Sequence, residues 1–197
     1  MKIDRILFPI ETLGPGKRLV IWTRGCSKHC EHCANPELWD SGGGREVSAG
    51  EIAQIILNIH RETPIDGITI SGGDPLEQAQ ELLELLEAVK GDIEDILVYT
   101  GYEYEELKDI HQPEFINRLE QNISVLIDGP YVDWLNDSAC TLRGSTNQRL
   151  WYFDEKYKDR YERYLQEGRK IQNVYMGKRL ISVGIHNRNE EEGYEEA

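Results

Sequence analysis

Three of the four cysteines lie within eight residues, in Cys26-Ser27-Lys28-His29-Cys30-Glu31-His32-Cys33, and Cys140 stands more than a hundred positions later. Clustered thiols in an otherwise cysteine-poor chain point to metal binding or redox chemistry before crosslinking. A structural zinc site closes four ligands, commonly as two separated pairs. This chain offers no second pair, and His29 or His32 would have to reach the metal from within the same tight loop. A 4Fe–4S cluster is usually held by four thiolates. With three, one iron has no protein ligand and is open to substrate. Cys140, next to Thr141-Leu142-Arg143, is either a fourth ligand or, as those neighbours suggest, a buried structural thiol.

The elements that must position this loop read as strand–helix units. Arg18 to Thr23, rich in branched and aromatic residues, is a strand that leads into the cysteine loop. Ser48-x-x-Glu51 is a capping box, and Ile52, Ile55, Ile56 and Ile59 come next at helical spacing. Gly67 to Ser71 is a strand ending in Gly72-Gly73-Asp74-Pro75, where Asp74 can cap and Pro75 can open a helix. That helix buries Leu82, Leu85, Leu86 and Val89 and stops at Gly91. Ile96 to Thr100 and Ile123 to Ile127 are further strands, with helices at Tyr104 to Ile110 and from Pro113. Nearly uniform apolar strands separated by amphipathic helices imply a parallel sheet covered by helices. Such sheets bind ligands beyond their carboxyl ends. The cysteine loop, the Gly72-Gly73-Asp74 turn, Thr100-Gly101 and Asp128-Gly129 all fall there, so four polar segments converge on one mouth.

After Phe153 the pattern changes. Lys156 to Glu167 carries Tyr157, Tyr161, Tyr164 and Leu165 at near-helical spacing, and Lys170 to Tyr175 and Arg179 to Ile185 read as a hairpin. The expected organisation is a core over 1–153, a helix and hairpin over 154–188 in the same domain, and an acidic disordered tail over 189–197. The chain has 197 residues and a net charge of −14, which argues against a broad nucleic-acid footprint. No apolar run approaches a membrane span and Met1 to Arg5 opens no secretory signal, so a cytoplasmic protein without a membrane partner is expected.

Cys26-x3-Cys30-x2-Cys33, with His32 just before the last cysteine, resembles the signature of the radical S-adenosylmethionine superfamily, and Ser71-Gly72-Gly73-Asp74-Pro75-Leu76 is similar to its second motif. Gly14-Pro15-Gly16, Asn35-Pro36-Glu37-Leu38-Trp39, Tyr99-Thr100-Gly101-Tyr102, Leu126-Ile127-Asp128-Gly129 and Arg143-Gly144-Ser145-Thr146-Asn147-Gln148-Arg149 resemble one small branch, the activating proteins of anaerobic ribonucleotide reductase. The resemblance covers roughly residues 5 to 153. It implies an α/β fold, a partial parallel β/α barrel with the C-terminal helix and hairpin as an extension.

It also implies an anaerobic oxidoreductase with a 4Fe–4S cluster on Cys26, Cys30 and Cys33. The open iron chelates S-adenosylmethionine, and an electron from the reduced cluster cleaves it to a 5′-deoxyadenosyl radical. That radical takes hydrogen from a glycine of the large reductase subunit. The cofactor carries this chemistry, and the protein supplies placement and exclusion of water. Beside Cys33, the residues expected to hold S-adenosylmethionine are His32 and Ala34 near the adenine, Gly72 and Gly73 for close backbone approach, Asp74 at the methionyl ammonium, and Thr100 and Asp128. Lys28 and His29 are read as solvated. The loop bearing Arg143, Ser145, Asn147, Gln148 and Arg149 would present donors to the partner's glycine segment. Reduced flavodoxin or ferredoxin is the implied electron donor. Because the segment after Phe153 is longer than this branch requires, it could cover the mouth, bind another substrate or mediate association. The alternatives are therefore a radical enzyme of the same superfamily acting on another glycyl-radical enzyme, peptide or small molecule, and a non-catalytic iron–sulfur or zinc module, in which the Gly-Gly-Asp turn would have no ligand.

Overall fold

The computed structural model describes residues 1–187. Strand β1 (Lys2–Ile10) pairs antiparallel with β2 (Arg18–Thr23), and a two-residue β3 (Arg45–Glu46) lies beyond β1. The chain then alternates through α1 (Ala49–Glu62), β4 (Gly67–Gly72), α2 (Ala79–Val89), β5 (Ile96–Tyr99), α3 (Tyr104–Ile110), α4 (Pro113–Asn122) and β6 (Val125–Asp128). Strands β2, β4, β5 and β6 are parallel neighbours, and β7 (Arg149–Tyr152) runs antiparallel along β6. The sheet order is β3-β1-β2-β4-β5-β6-β7, a mixed α/β architecture with a mostly parallel centre.

The parallel strands bury both faces, and their two-residue period divides the core. Leu19, Ile21, Ile68, Ile70, Ile96, Val98 and Leu126 pack on one face beneath α1 to α4. Val20 and Trp22, then Leu97, Val125 and Ile127, point to the other. The Ser48 capping box forms in both directions. On α1 the buried line is Ala49, Ile52, Ala53 and Ile56; Ile55, expected in the core, is 41% exposed. It lies about 100° round the helix from Ile56. Helix α2 buries the expected leucines but ends at Val89, with Lys90 still right-handed, ahead of Gly91. A 3-10 turn, Pro75–Gln78, separates Asp74 from α2, so Asp74 caps that turn rather than the helix itself.

The second face is covered by the segment after β7, namely α5 (Lys158–Leu165) and a hairpin of β8 (Ile171–Met176) and β9 (Arg179–Gly184). Tyr161 and Tyr164 pack against Leu97, Val125 and Ile127, while Val183 joins Ile10, Val20, Trp22 and Leu38. Tyr161 Oη donates to Asp95 Oδ1 at 2.8 Å, and Asp95 is paired at 2.9 Å with the fully buried Arg18. A buried ion pair is tolerated only when its remaining polar atoms are bonded; here Arg18 also donates to Thr69 Oγ1 and to the Ile68 carbonyl. Arg188, the expected end of the extension, and the acidic 189–197 segment lie outside the described residues. Among the described residues no helix is long and apolar enough to cross a membrane.

Candidate functional site

The register of β2 against β4 places Thr23 beside Gly72, so the cysteine loop leaves the sheet next to the Gly-Gly-Asp turn. Two backbone bonds join them: Gly73 N donates to the Thr23 carbonyl at 2.8 Å and Asp74 N to the Gly25 carbonyl at 2.7 Å. Gly72 adopts φ +116°, which a side chain would strain, and a Cβ on Gly73 would stand 2.3 Å from the Gly25 oxygen. These glycines permit a close approach to the neighbouring loop, and both also line the cavity into which the sequence placed their ligand approach.

The cysteine loop is fixed at its base. Gly25 N and Cys26 N donate to the Leu38 and Trp39 carbonyls, Leu38 is fully buried, and Arg24 binds Asp4 and the Glu37 carbonyl. Ser27 N donates to Glu77 Oε1 at 2.6 Å. Of Lys28 and His29, both expected to be solvated, His29 is exposed with its ring beside Trp39, while Lys28 is half-buried, its Nζ 3.8 Å from the Tyr102 ring centre and paired with Glu106. His29 and His32 take positive φ, and with these bends Cys26, Cys30 and Cys33 all line one cavity. Partial burial pushes the Cys26 and Cys30 thiols up; a metal would deprotonate them on binding. Among the described residues no three His, Cys, Asp or Glu converge as a single ion would require. Three thiols on one cavity are the donor chemistry a 4Fe–4S cluster uses, each thiolate on a separate iron. Cys140 is buried and does not line the cavity.

That cavity, of about 1760 Å³, lies at the carboxyl ends of the parallel strands. His32, Ala34, Gly72, Gly73, Asp74 and Thr100 line it with the cysteines. Asp74 is fully buried: its carboxylate accepts from Leu76 N, from Thr100 Oγ1 at 3.0 Å and from Gly101 N at 2.8 Å. Burial outweighs these donors and pushes the carboxyl up to about 6. Asp74 thus links the turns after β4 and β5.

Asp128 departs from expectation. It does not line the cavity. Its carboxylate accepts from Tyr104 N at 2.8 Å and from Arg149 Nη2 at 2.6 Å. Burial works to raise it, but Arg149 and the Tyr104 N–H prevail and hold it below the usual carboxylate range. The expected partner loop is divided: Asn147 and Arg149 are exposed, Arg143 is half-buried, and Ser145 and Gln148 are buried. Ser145 is buried and accepts from Val132 N, Asn147 donates to the Pro130 carbonyl, and Arg143 Nη1 donates to the Gln148 carbonyl. Of the five expected residues, Gln148 alone lines the mouth, and its amide serves Gly129 and Gly144. Sequence reasoning passed over Tyr131, Trp134 and residues 182–187, which line the outer part of the cavity. Trp134, 72% exposed just after Asp128-Gly129-Pro130, was the available signal.

Comparison with known proteins gives the same placement. The family described as a 4Fe-4S single cluster domain matches residues 12–151. The chain is 33% identical over 156 residues to the anaerobic ribonucleoside-triphosphate reductase-activating protein of Enterobacteria phage T4, spanning 77% of this chain and 94% of that protein. It is 32% identical over 148 residues to the protein of the same name from Escherichia coli K12, covering 72% and 92%. It is also 32% identical over 123 residues to the pyruvate formate-lyase-activating enzyme of Clostridium pasteurianum, covering 61% of this chain and 48% of that enzyme. Three thiols around one mouth, stitched to a Gly-Gly-Asp turn, sit inside the matched span, and the chain belongs to the 4Fe-4S single cluster domain family, in its branch of radical S-adenosylmethionine activating enzymes.

Proposed function

We propose that this enzyme generates a glycyl radical on the large subunit of an anaerobic ribonucleotide reductase. The observation that carries the reading is the cavity shared by Cys26, Cys30 and Cys33, the Gly72-Gly73-Asp74 turn and Thr100. The match over 94% of an activating protein, against 48% of the lyase-activating enzyme, favours the reductase as target. When bound, a 4Fe–4S cluster with one open iron supplies the electron that cleaves S-adenosylmethionine to the hydrogen-abstracting 5′-deoxyadenosyl radical.

The chain's own residues hold and screen. Cys26, Cys30 and Cys33 would carry the cluster, and Asp74 would face the methionyl ammonium with Thr100 and Gly101 fixing its carboxylate. The backbone at His32 and Ala34 would border the adenine. On this reading the sheet is the wall of a partial barrel, with α5 and the hairpin packed on its second face, residues 1–153 would carry the chemistry, and the segment from residue 154 would complete the same domain. Flavodoxin or ferredoxin is the proposed donor, and a reducing cytoplasm the proposed setting for these thiols.

The Asp74 carboxyl gives this reading a pH dependence. Its value in the fold, about 6, lies above the ordinary one, so ionisation weakens the fold as pH rises from roughly 4 towards 6. A ligand ammonium favours the carboxylate and must displace the proton below that pH. Affinity for S-adenosylmethionine is expected to fall up to about tenfold per pH unit below 6 and to be flat from 6.5 to 7.5, with Asp74→Asn weak and pH-independent. Equilibrium binding across pH 5 to 7.5 checks this.

The reading itself is tested by anaerobic reconstitution. The protein should be brown, bind about four irons and release 5′-deoxyadenosine on reduction with S-adenosylmethionine. Mixed with the reductase large subunit, it should produce the electron-paramagnetic-resonance doublet of a glycyl radical. A doublet with pyruvate formate-lyase and none with the reductase would move the target to the second relative's class.

A further inference from the structure

The family match ends at residue 151, and Arg169 lies beyond it. Gly168, at φ +77°, turns the chain out of α5 and delivers Arg169 beneath the outer part of the mouth. All three guanidinium nitrogens are engaged there. Nε donates to the Cys140 carbonyl at 3.0 Å, and Nη2 to the carbonyls of Arg143 at 3.1 Å and Gly144 at 3.3 Å. Nη1 reaches Asn136 Oδ1 at 2.7 Å, the His186 carbonyl at 2.9 Å and Asn187 Oδ1 at 3.1 Å. One rigid, planar fork thereby joins two walls of the cavity that are well separated in the chain: the 134–148 loop and the strand end at 184–187. None of the groups it binds belongs to the cysteine loop or the Gly-Gly-Asp turn.

We propose that Arg169 is a positioning residue that sets the outer rim of the mouth and so determines how the protein substrate's glycine segment enters. This rests on the glycyl-radical function proposed for the same site. The cavity exceeds the roughly 300–1,000 Å³ of ordinary small-molecule sites, so it has room beyond a nucleoside cofactor for an extended polypeptide. The rim walls flank that extra room. Lysine at 169 keeps the charge but not the fork, since a single ammonium cannot serve acceptors on both walls.

The test uses the reconstituted full-length enzyme with the reductase large subunit. Arg169→Ala is expected to raise the subunit concentration giving half-maximal glycyl radical at least tenfold, with S-adenosylmethionine cleavage in the absence of subunit held within about twofold. Arg169→Lys should fall between wild type and Ala. Should Arg169→Ala fail to fold, Asn136→Ala removes one acceptor from a half-buried loop and is expected to shift the same quantity by a smaller factor. An unchanged subunit requirement in a folded variant overturns the proposal, as does an equal loss of cleavage and of subunit dependence, the mark of a merely structural role. If the wild type itself cleaves no S-adenosylmethionine, the underlying function fails. If it cleaves and the variants behave as wild type, only the rim proposal does.

Discussion

Replacing Cys26, Cys30 and Cys33 together by Ala is expected to give a folded, colourless protein that binds no iron and releases no 5′-deoxyadenosine. The loss should be complete because a cluster needs several thiolates and no other cysteine among the described residues lines the cavity; a lone His32 cannot replace three of them. His29 is packed on Trp39 and Lys28 is a cation committed to Tyr102 and Glu106. The fold should survive because the three thiols contribute little to the core. The loop hangs instead on the backbone bonds of Gly25 and Cys26, the Arg24 contacts and buried Leu38. A melting temperature within about 4 °C of wild type is expected, as a change near 1 kcal/mol would give in a chain of this size. Cys140→Ala should also lose about 1 kcal/mol, from a buried position, but keep iron and cleavage. Iron analysis, visible absorption and product chromatography on both variants decide the matter. Iron lost in Cys140→Ala, or kept in the triple variant, would mean that the ligand set is not these three thiolates.

The cysteine loop and its neighbouring turn were legible in the sequence because both are local: ligand spacing, a glycine pair and a cap are each written in consecutive residues. The parallel centre was legible for a related reason, since strands buried on both faces read as unbroken apolar runs. Strand β1 was not, because register shifts between Ile3 and Arg5 and between Leu7 and Ile10 break its two-residue alternation. Strand β7 was hidden behind an arginine-bearing loop whose polar residues suggested exposure. In the fold those residues satisfy one another: Arg149 holds Asp128, and the Gln148 amide serves Gly129 and Gly144. No local pattern distinguishes a donor offered to a partner from one already bonded inside its own loop. The extension illustrates the same limit. Its helix and hairpin were readable, but their place on the second face depends on Tyr161 meeting Asp95 and Val183 meeting Trp22, pairings 66 residues apart in the first case and still further in the second.

Gly73→Ala is expected to damage the enzyme through a clash between two backbone segments. Its Cβ would lie 2.3 Å from the Gly25 oxygen and 2.8 Å from the Gly25 carbon, both backbone, so neither neighbour can swing aside. Gly72→Ala meets Thr23 N at 2.2 Å and must also hold φ +116°. Relief requires the turn after β4 to separate from the loop after β2, breaking the bonds from Gly73 N and Asp74 N. The expected cost is about 2–4 kcal/mol of stability in either variant, from overpacking and backbone strain. The functional cost should be larger. Asp74 and the cysteines keep their identities but lose their mutual placement, and a shift near 1 Å can reduce turnover about a hundredfold. Iron content should stay near wild type because the loop retains its other anchors, so cleavage per iron is the quantity to measure. Gly50→Ala is the matched control: nothing stands within 4 Å of its Cβ, and alanine in α1 should stabilise slightly. Normal cleavage per iron in Gly73→Ala would show that the cysteine loop and the Gly-Gly-Asp turn act independently. A selective loss would show that the two backbone bonds between β2 and β4 are what convert two neighbouring turns into one site.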